Sequence, residues 1–350
     1  MIPYLLLMGA GLAGEPLLRR RPEYRREFLL ALGTACWLLA SLRYVTGFDY
    51  RFYESFFQSI TAQGLAGSQA ERGFRLLGLA VAWAGGDYRA FLFVFHFLLT
   101  VLVFAWIDRY SVSPWMSVYL FVALQYFALS MNLLRQALAA AVVLWSYPFL
   151  KSRRFLPYCG VVLLAACFHR TALIMLPFYV LLNLRVSKLH YGLAAAAAGI
   201  VYLETDVLLR MAADFLGRYR NYFDGRYWQA NGFAYILFPL GCLLFVLPLL
   251  RRDAKDFSGS PVLANSVFYA TLMQLFITRH FILERLSIYL AMLSLLALPE
   301  AAQASGRRCS ARVRTGLLIA GAFLYFLFAA REGFHGVYPY HGVWNRAMVP

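Results

Sequence analysis

Runs of about 20 apolar residues dominate this chain, and they are apolar on every side. Residues 88–107, YRAFLFVFHFLLTVLVFAWI, are one example. A helix needs about 20 such residues to cross the roughly 30 Å hydrocarbon core of a bilayer. The strands of an outer-membrane barrel would instead alternate apolar and polar side chains. Inside hydrocarbon each backbone polar group must be satisfied within its own segment, so helices follow. Composition agrees: 61% of the 350 residues are hydrophobic and 14% charged, and mean hydropathy is +0.61. A soluble domain carries about 25% charged residues. The expected fold is all-α: a polytopic integral membrane helical bundle, with residues 1–350 as one transmembrane domain.

Met1 to Leu18 is apolar but has no basic residue ahead of it; the arginines follow, in RRRPEYRR. This is the pattern of a retained first helix, not of a cleaved signal. The five cysteines have neither metal-site nor disulfide spacing, and they read as small apolar filler.

Loops on the cytoplasmic side of membrane proteins are rich in Lys and Arg. Arg19–Arg26, Arg109, Lys151–Arg154, Arg185–Lys188, Arg251–Lys255 and Arg307–Arg314 therefore mark the inside. About 12 spans alternate between them: near 2–18, 28–45, 88–107, 114–131, 133–150, 155–168, 171–184, 189–205, 233–250, 261–278, 286–299 and 313–331. Two outward segments, 46–87 and 206–232, are too long for turns. The first holds GFDYRFYESFF and ERGFRLLGLAVAW, whose patterns predict amphipathic helices lying on or dipping into the membrane. Residues 155–184 are flanked on both sides by basic clusters, so they predict two short passes meeting at His169-Arg170. Half-length helices are tolerated where protein or a cavity surrounds them.

All three lysines fall on the predicted inside. Fifteen arginines, among them Arg43, Arg51, Arg75, Arg135, Arg170, Arg279 and Arg285, fall on the outside with no lysine. Arginine offers a planar fork that grips phosphate or carboxylate through paired hydrogen bonds. The pattern suggests an outward cavity for an anionic substrate; lipid headgroups and nearby acids are the plainer partners. In SMNLLRQALAAAV, Ser130 or Asn132 can cap a helix with Arg135 in its first turn, and HRTAL repeats the arrangement with Arg170. Helix starts of this kind attract anions.

Transfer of a sugar from a lipid diphosphate needs cations on the leaving group and a base for the acceptor hydroxyl. His169, beside Arg170, is the leading base, and Asp49 and Glu71 are its rivals. His96 reads as core, His280 is weaker, and His335 and His341 have no evident partner. Tyr219, Tyr222, Tyr227 and Trp228 alternate with arginines in the second outward segment, as a glycan-stacking surface or an interfacial aromatic belt would. No nucleotide loop, GxSxG, HExxH or EF-hand pattern occurs, and no metal or cofactor is expected. The acidic residues all sit near span ends or in loops, which argues against an ion-coupled transporter.

The order RYVTGFDYRFYESFF, ERGFRLL, GGDYRAFLFVF, RYSVSPWMSVYLF, SMNLLRQALA, FHRTALIMLPFYVL and ERLSIYLAMLSLLALP resembles the EpsG family, a branch of the Wzy-type polysaccharide polymerases. The resemblance is strongest from Arg43 to Leu184. It implies a GT-C-like, metal-independent inverting glycosyltransferase in the bacterial inner membrane. Such an enzyme joins undecaprenyl-diphosphate-linked oligosaccharides at the periplasmic face into O-antigen, capsule or exopolysaccharide. Asp49, Glu71, Arg135, His169 and Arg170 are the positions it carries over, with Arg279 or Arg285 as further diphosphate ligands. Membrane lipids, a chain-length regulator and a flippase are the implied partners, and nucleic acid is not. Arg72 stands where relatives carry the proline of E-P-G-F, which puts the backbone at Glu71 in question. A glycan ligase or a lipid-linked oligosaccharide flippase are the alternative readings.

Overall fold

A computed structural model describes residues 1–184, 188–216, 234–250, 261–279, 284–304 and 310–348. Among these the chain is helical, and its one β contact is the isolated bridge between Arg43 and Gly342. The first half comprises α1 (Ile2–Arg20), α2 (Arg25–Ser41), α3 (Tyr50–Gln63), α4 (Arg72–Trp83), α5 (Tyr88–Tyr110), α6 (Pro114–Ala123), α7 (Tyr126–Asn132), α8 (Leu134–Leu144) and α9 (Tyr147–Lys151). The second comprises α10 (Phe155–Ala166), α11 (Met175–Asn183), α12 (Lys188–Leu203), α13 (Thr205–Leu216), α14 (Ala234–Leu250), α15 (Val262–Gln274), α16 (Glu284–Ala291), α17 (Ser294–Gln303) and α18 (Ala311–Arg331).

Two helices, α5 and α18, are long and apolar enough to cross a membrane, and the number rises to four if each of two bent pairs is one span. The remaining apolar helices are shorter, at 10–17 residues, so of the roughly 12 spans expected from hydropathy two to four have full length among the described residues. The 133–150 run is divided between α8 and α9, because the chain turns at Trp145 and Ser146.

The two bends face each other. α6 and α7 meet at 51°, where Gln125 takes φ of +67°, and α16 and α17 meet at 44°. Breaking a helix orphans carbonyls that hydrocarbon cannot satisfy. Here Tyr126 donates its hydroxyl hydrogen bond to Ala291 O at 2.6 Å, with Ser294 Oγ 3.1 Å away. Ser117 Oγ donates to Leu295 O at 2.6 Å.

Close helix contacts rest on small residues, as they do between membrane helices generally. A Cβ on Gly11 would lie 3.3 Å from the Tyr119 backbone, and one on Gly14 would sit 2.8 Å from Trp115 Cβ. Arg25 fastens the basic end of the bundle, with its Nε 2.7 Å from Asp108 and further hydrogen bonds to carbonyls.

At the opposite end lie the two predicted amphipathic helices. α3 buries Tyr50, Tyr53, Phe56, Phe57 and Ile60 and leaves Arg51 and Glu54 to pair at its exposed edge. α4 buries Phe74, Leu79 and Val81 and exposes Leu76 and Trp83. Replacing Tyr126 with Phe would leave Ala291 O orphaned. A loss of about 1–3 kcal/mol is expected, read as a lower melting temperature in detergent.

Candidate active site

Glu71 and Asp49 both occupy the N-cap position of an amphipathic helix, where an acid normally accepts a hydrogen bond from the first helical turn. Neither does so. Their carboxylates are free for other partners.

The Glu71 carboxylate joins three separate elements. Oε2 accepts from Arg135 Nη1 in the first turn of α8 at 2.8 Å. Oε1 accepts from His169 Nδ1 at 3.1 Å and from the Arg170 backbone N–H at 3.1 Å. His169 and Arg170 follow the end of α10, where the predicted break in 155–184 falls and a 3₁₀ turn over Arg170–Ile174 leads into α11.

Gly73 sets this register. Its N–H donates to Cys167 O at 2.9 Å, and a Cβ at this position would meet that same oxygen at 2.8 Å. Only a glycine lets α4 dock its first turn onto the carbonyl that precedes the histidine. Glu71 itself has φ −61° and ψ 146°, the extended conformation that a following proline would favour. Arg72 therefore leaves the carboxylate correctly placed, and the missing proline does no harm.

The histidine tautomer follows from these bonds. Nδ1–H is directed at a carboxylate, so in neutral His169 the Nε2 lone pair is free. Among the described residues nothing hydrogen-bonds to Nε2, and the Arg170 guanidinium, on an exposed residue, has no partner. For Glu71, burial pushes the pKa upward. The hydrogen bond with His169, the charge of Arg135 and the Arg170 N–H outweigh that, and the pKa falls to about 2. Glu71 is thus a poor proton acceptor near neutrality and a good orienting group.

Asp49 stands on the other side of Arg135. Its N–H donates to Asn132 Oδ1 at 3.0 Å. Asn132 accordingly does not cap α8, and Ser130 turns its hydroxyl to Phe127 O; the capping expected for SMNLLRQ is replaced by a tertiary bond. Burial raises the Asp49 pKa, against the charges of Arg285 and Arg135, and among the described residues no hydrogen bond reaches its carboxylate.

Arg285 shares a helical turn of α16 with Tyr289, whose hydroxyl lies 2.8 Å from Thr171 Oγ1, while Gln136 Nε2 donates to Arg285 O. The structure thus assembles Asp49, Glu71, Arg135, His169, Arg170 and Arg285 at one end of the bundle. Three guanidiniums against two carboxylates leave it net positive.

Not every candidate belongs there. Arg279 stacks over Tyr202 at 4.9 Å, and among the described residues no contact joins it to the Glu71 cluster. Arg43 lines no outward cavity. It is 1% exposed, donates to Ala40 O at 2.9 Å and abuts His96, because the chain after α2 folds inward. Arg75 binds the carbonyls of Leu65 and Ser68. Tyr219, Tyr222, Tyr227, Trp228 and His280 lie outside the described residues. Among the described residues no group of three His, Cys, Asp or Glu could hold a metal ion.

The sequence singles out neither Gln136 nor Tyr289, offers Asn132 only as a helix cap and shows no partner for His335. The i,i+4 spacing of Arg285 and Tyr289 was the available signal for one of them. For His335 there was none. Its place depends on a C-terminal strap in which Gly333, His335 and Gly336 take φ of +68°, +60° and +65°. The strap accepts hydrogen bonds from Gly47 and Phe48 through Gly336 O and His335 O, holding the turn before Asp49. Burial and the Arg285 charge lower the His335 pKa to about 4, so its ring is neutral.

Glu71→Ala should lower stability by up to about 3 kcal/mol, the low end for a broken buried pair because Arg135 is 26% exposed. The depressed Glu71 pKa adds stability above the model-compound value of 4.5, and this is lost as pH falls toward 2. Glu71→Gln should remove that acid-side slope in thermal melts taken from pH 5 to pH 2. Gly73→Ala should break the docking of α4 onto Cys167 O and lower the melting temperature in detergent, while Arg72→Pro should leave it near the wild-type value.

Residues 27–341 match the EpsG family. No curated protein and no solved structure matches the chain. With nearly its whole length matched, and with all-helical architecture and apolar helices suited to a membrane, the chain belongs to the EpsG family of Wzy-type polysaccharide polymerases.

Proposed function

We propose that this protein joins undecaprenyl-diphosphate-linked oligosaccharide repeat units at the periplasmic face of the bacterial inner membrane, as a GT-C-like inverting glycosyltransferase. The observation that carries the reading is the Glu71–His169 pair beside an Arg170 guanidinium that has no partner among the described residues. A base, held in one tautomer, adjoins a cation with free donors.

In this reading the growing chain on its lipid diphosphate is the donor. An acceptor hydroxyl of the incoming lipid-linked repeat attacks the anomeric carbon from the face opposite the diphosphate. As the new C–O bond forms, the bond to the diphosphate oxygen breaks and the configuration inverts. The hydroxyl proton passes to His169 Nε2, and Glu71 stabilises the resulting imidazolium without taking its proton. Arg170, Arg285 and the remaining donors of Arg135 hold the departing diphosphate, supplying positive charge where negative charge develops. Tyr219, Tyr222, Tyr227 and Trp228 are proposed to stack on the glycan; Arg279 is the weakest of the proposed phosphate ligands.

One observation supports a second base. Asp49 carries a pKa raised by burial, and among the described residues no hydrogen bond reaches its carboxylate. If Asp49 takes the proton, activity is lost as pH falls through a carboxyl pKa above the ordinary range, and Asp49→Asn abolishes that limb. A ligase would use the same groups on another acceptor, whereas a flippase needs no base.

With purified protein and lipid-linked repeat units, His169→Ala should reduce polymer formation by about 10²–10⁴. Arg170→Lys should fall well below wild type because the planar fork is lost. Polymer formed at the wild-type rate by His169→Ala would refute the assignment of the base.

A further inference from the structure

α14 and α18 run side by side with a groove between them. It encloses about 520 Å³, and its walls are almost wholly apolar: Leu237 and Phe245 from one helix, Leu317 and Leu324 from the other. Its floor is Gly241 and Gly321. A Cβ built on either meets nothing within 4 Å, so the space above both is open. The stacked rings of Phe238 and Tyr325, with centroids 4.4 Å apart, close its back.

On α14 the groove runs from Leu237 to Phe245 and on α18 from Leu317 to Phe328, about 12 Å and 16 Å at 1.5 Å per residue. Half of a roughly 30 Å hydrocarbon core is about 15 Å. The groove is therefore one leaflet deep. It crosses the middle of both helices, reaching within three residues of their ends nearest the candidate active site and stopping five or six residues short of the basic end, where α18 begins.

At its mouth stands Phe334, stacked on Tyr235 with centroids 5.2 Å apart and set edge-on to Phe328 at 5.9 Å. The next residue, His335, accepts the Phe48 N–H through its carbonyl and lies within the field of Arg285. A hydrocarbon chain lying in the groove would thus emerge where the backbone leads, within one residue, to the turn bearing Asp49.

We propose that the groove between α14 and α18 holds the hydrocarbon tail of the lipid that carries the glycan, and that this places the diphosphate on the Arg285 side of the site. The assignment rests on the lipid-linked substrate of the proposed function. It names the surface on which the substrate's tail is bound, and it makes tail length a determinant of affinity.

The probe is a polyprenyl diphosphate with a photoactivatable diazirine in its chain, added to the protein in phosphatidylethanolamine–phosphatidylglycerol vesicles. Crosslinks should concentrate on residues 237–245 and 317–328. They should be competed away by unlabelled polyprenyl diphosphate but not by added phospholipid. Gly241→Phe with Gly321→Phe fills the open space and should lower these crosslinks at least tenfold. Leu324→Trp, at an exposed groove residue, should lower them in the same direction with little risk to folding. Crosslinks spread evenly around the helical belt, or competed equally by phospholipid, would show that the groove holds bulk lipid and would overturn the proposal. A wild-type protein that crosslinks here yet makes no polymer would refute polymerisation while leaving the groove assignment standing.

Discussion

Glu71 is the point on which the site depends. Its two carboxylate oxygens hold Arg135 of α8, the His169 ring and the Arg170 backbone, elements separated by 64 to 99 residues in sequence. A carboxylate this enclosed is costly unless a cation and hydrogen-bond donors satisfy it, and here the Arg135 guanidinium, the His169 ring and the Arg170 N–H do. Its low pKa is the electrostatic record of that arrangement. The same bonds that stabilise the acid fix the histidine tautomer and bring two arginines near the ring. Structure and chemistry thus draw on one set of interactions.

The remaining architecture supports this node. Gly73 lets α4 approach Cys167 O closely enough for Glu71 to reach its partners. The turn that carries Asp49 is held more awkwardly. Val45 has φ of +46°, which is unfavourable for a β-branched residue, and Gly47 has φ of +99°, where a Cβ would meet Met131 O at 2.8 Å. Backbone strain of about 1–3 kcal/mol persists only where surroundings enforce it. Here the C-terminal strap and Asn132 supply the constraint. Below the site, Tyr126 and Ser117 of the α6–α7 pair donate to the Ala291 and Leu295 carbonyls of the facing α16–α17 break.

Much of this was legible in the sequence. The apolar runs dictated a helical membrane bundle, and the half-length passes flanked by basic clusters placed the turn at His169-Arg170. The aromatic spacing in GFDYRFYESFF marked α3. What escaped was set by tertiary contact. Hydropathy counts apolar length and does not register a bend at Gln125, so full spans were expected where paired short helices occur. Local capping rules favoured Asn132 as the start of α8, but the Asp49 N–H claimed its side chain. Arg43 counted among the outward arginines because nothing in the sequence shows the chain folding inward after α2. The pairing of Glu71 with Arg135 links distant segments through no local pattern, and His335 depends on positive φ values that its neighbours do not announce.

The central claim is that Glu71 acts on the reaction through His169. A double-mutant cycle in the rate of polymer formation tests it most directly, using Glu71→Gln, His169→Gln and the pair, each normalised to folded protein. The account predicts strong coupling, with the double variant scarcely slower than His169→Gln alone, because the orienting acid has no task once the ring is gone. If the two losses simply multiply, the carboxylate and the imidazole work independently, and the account is wrong.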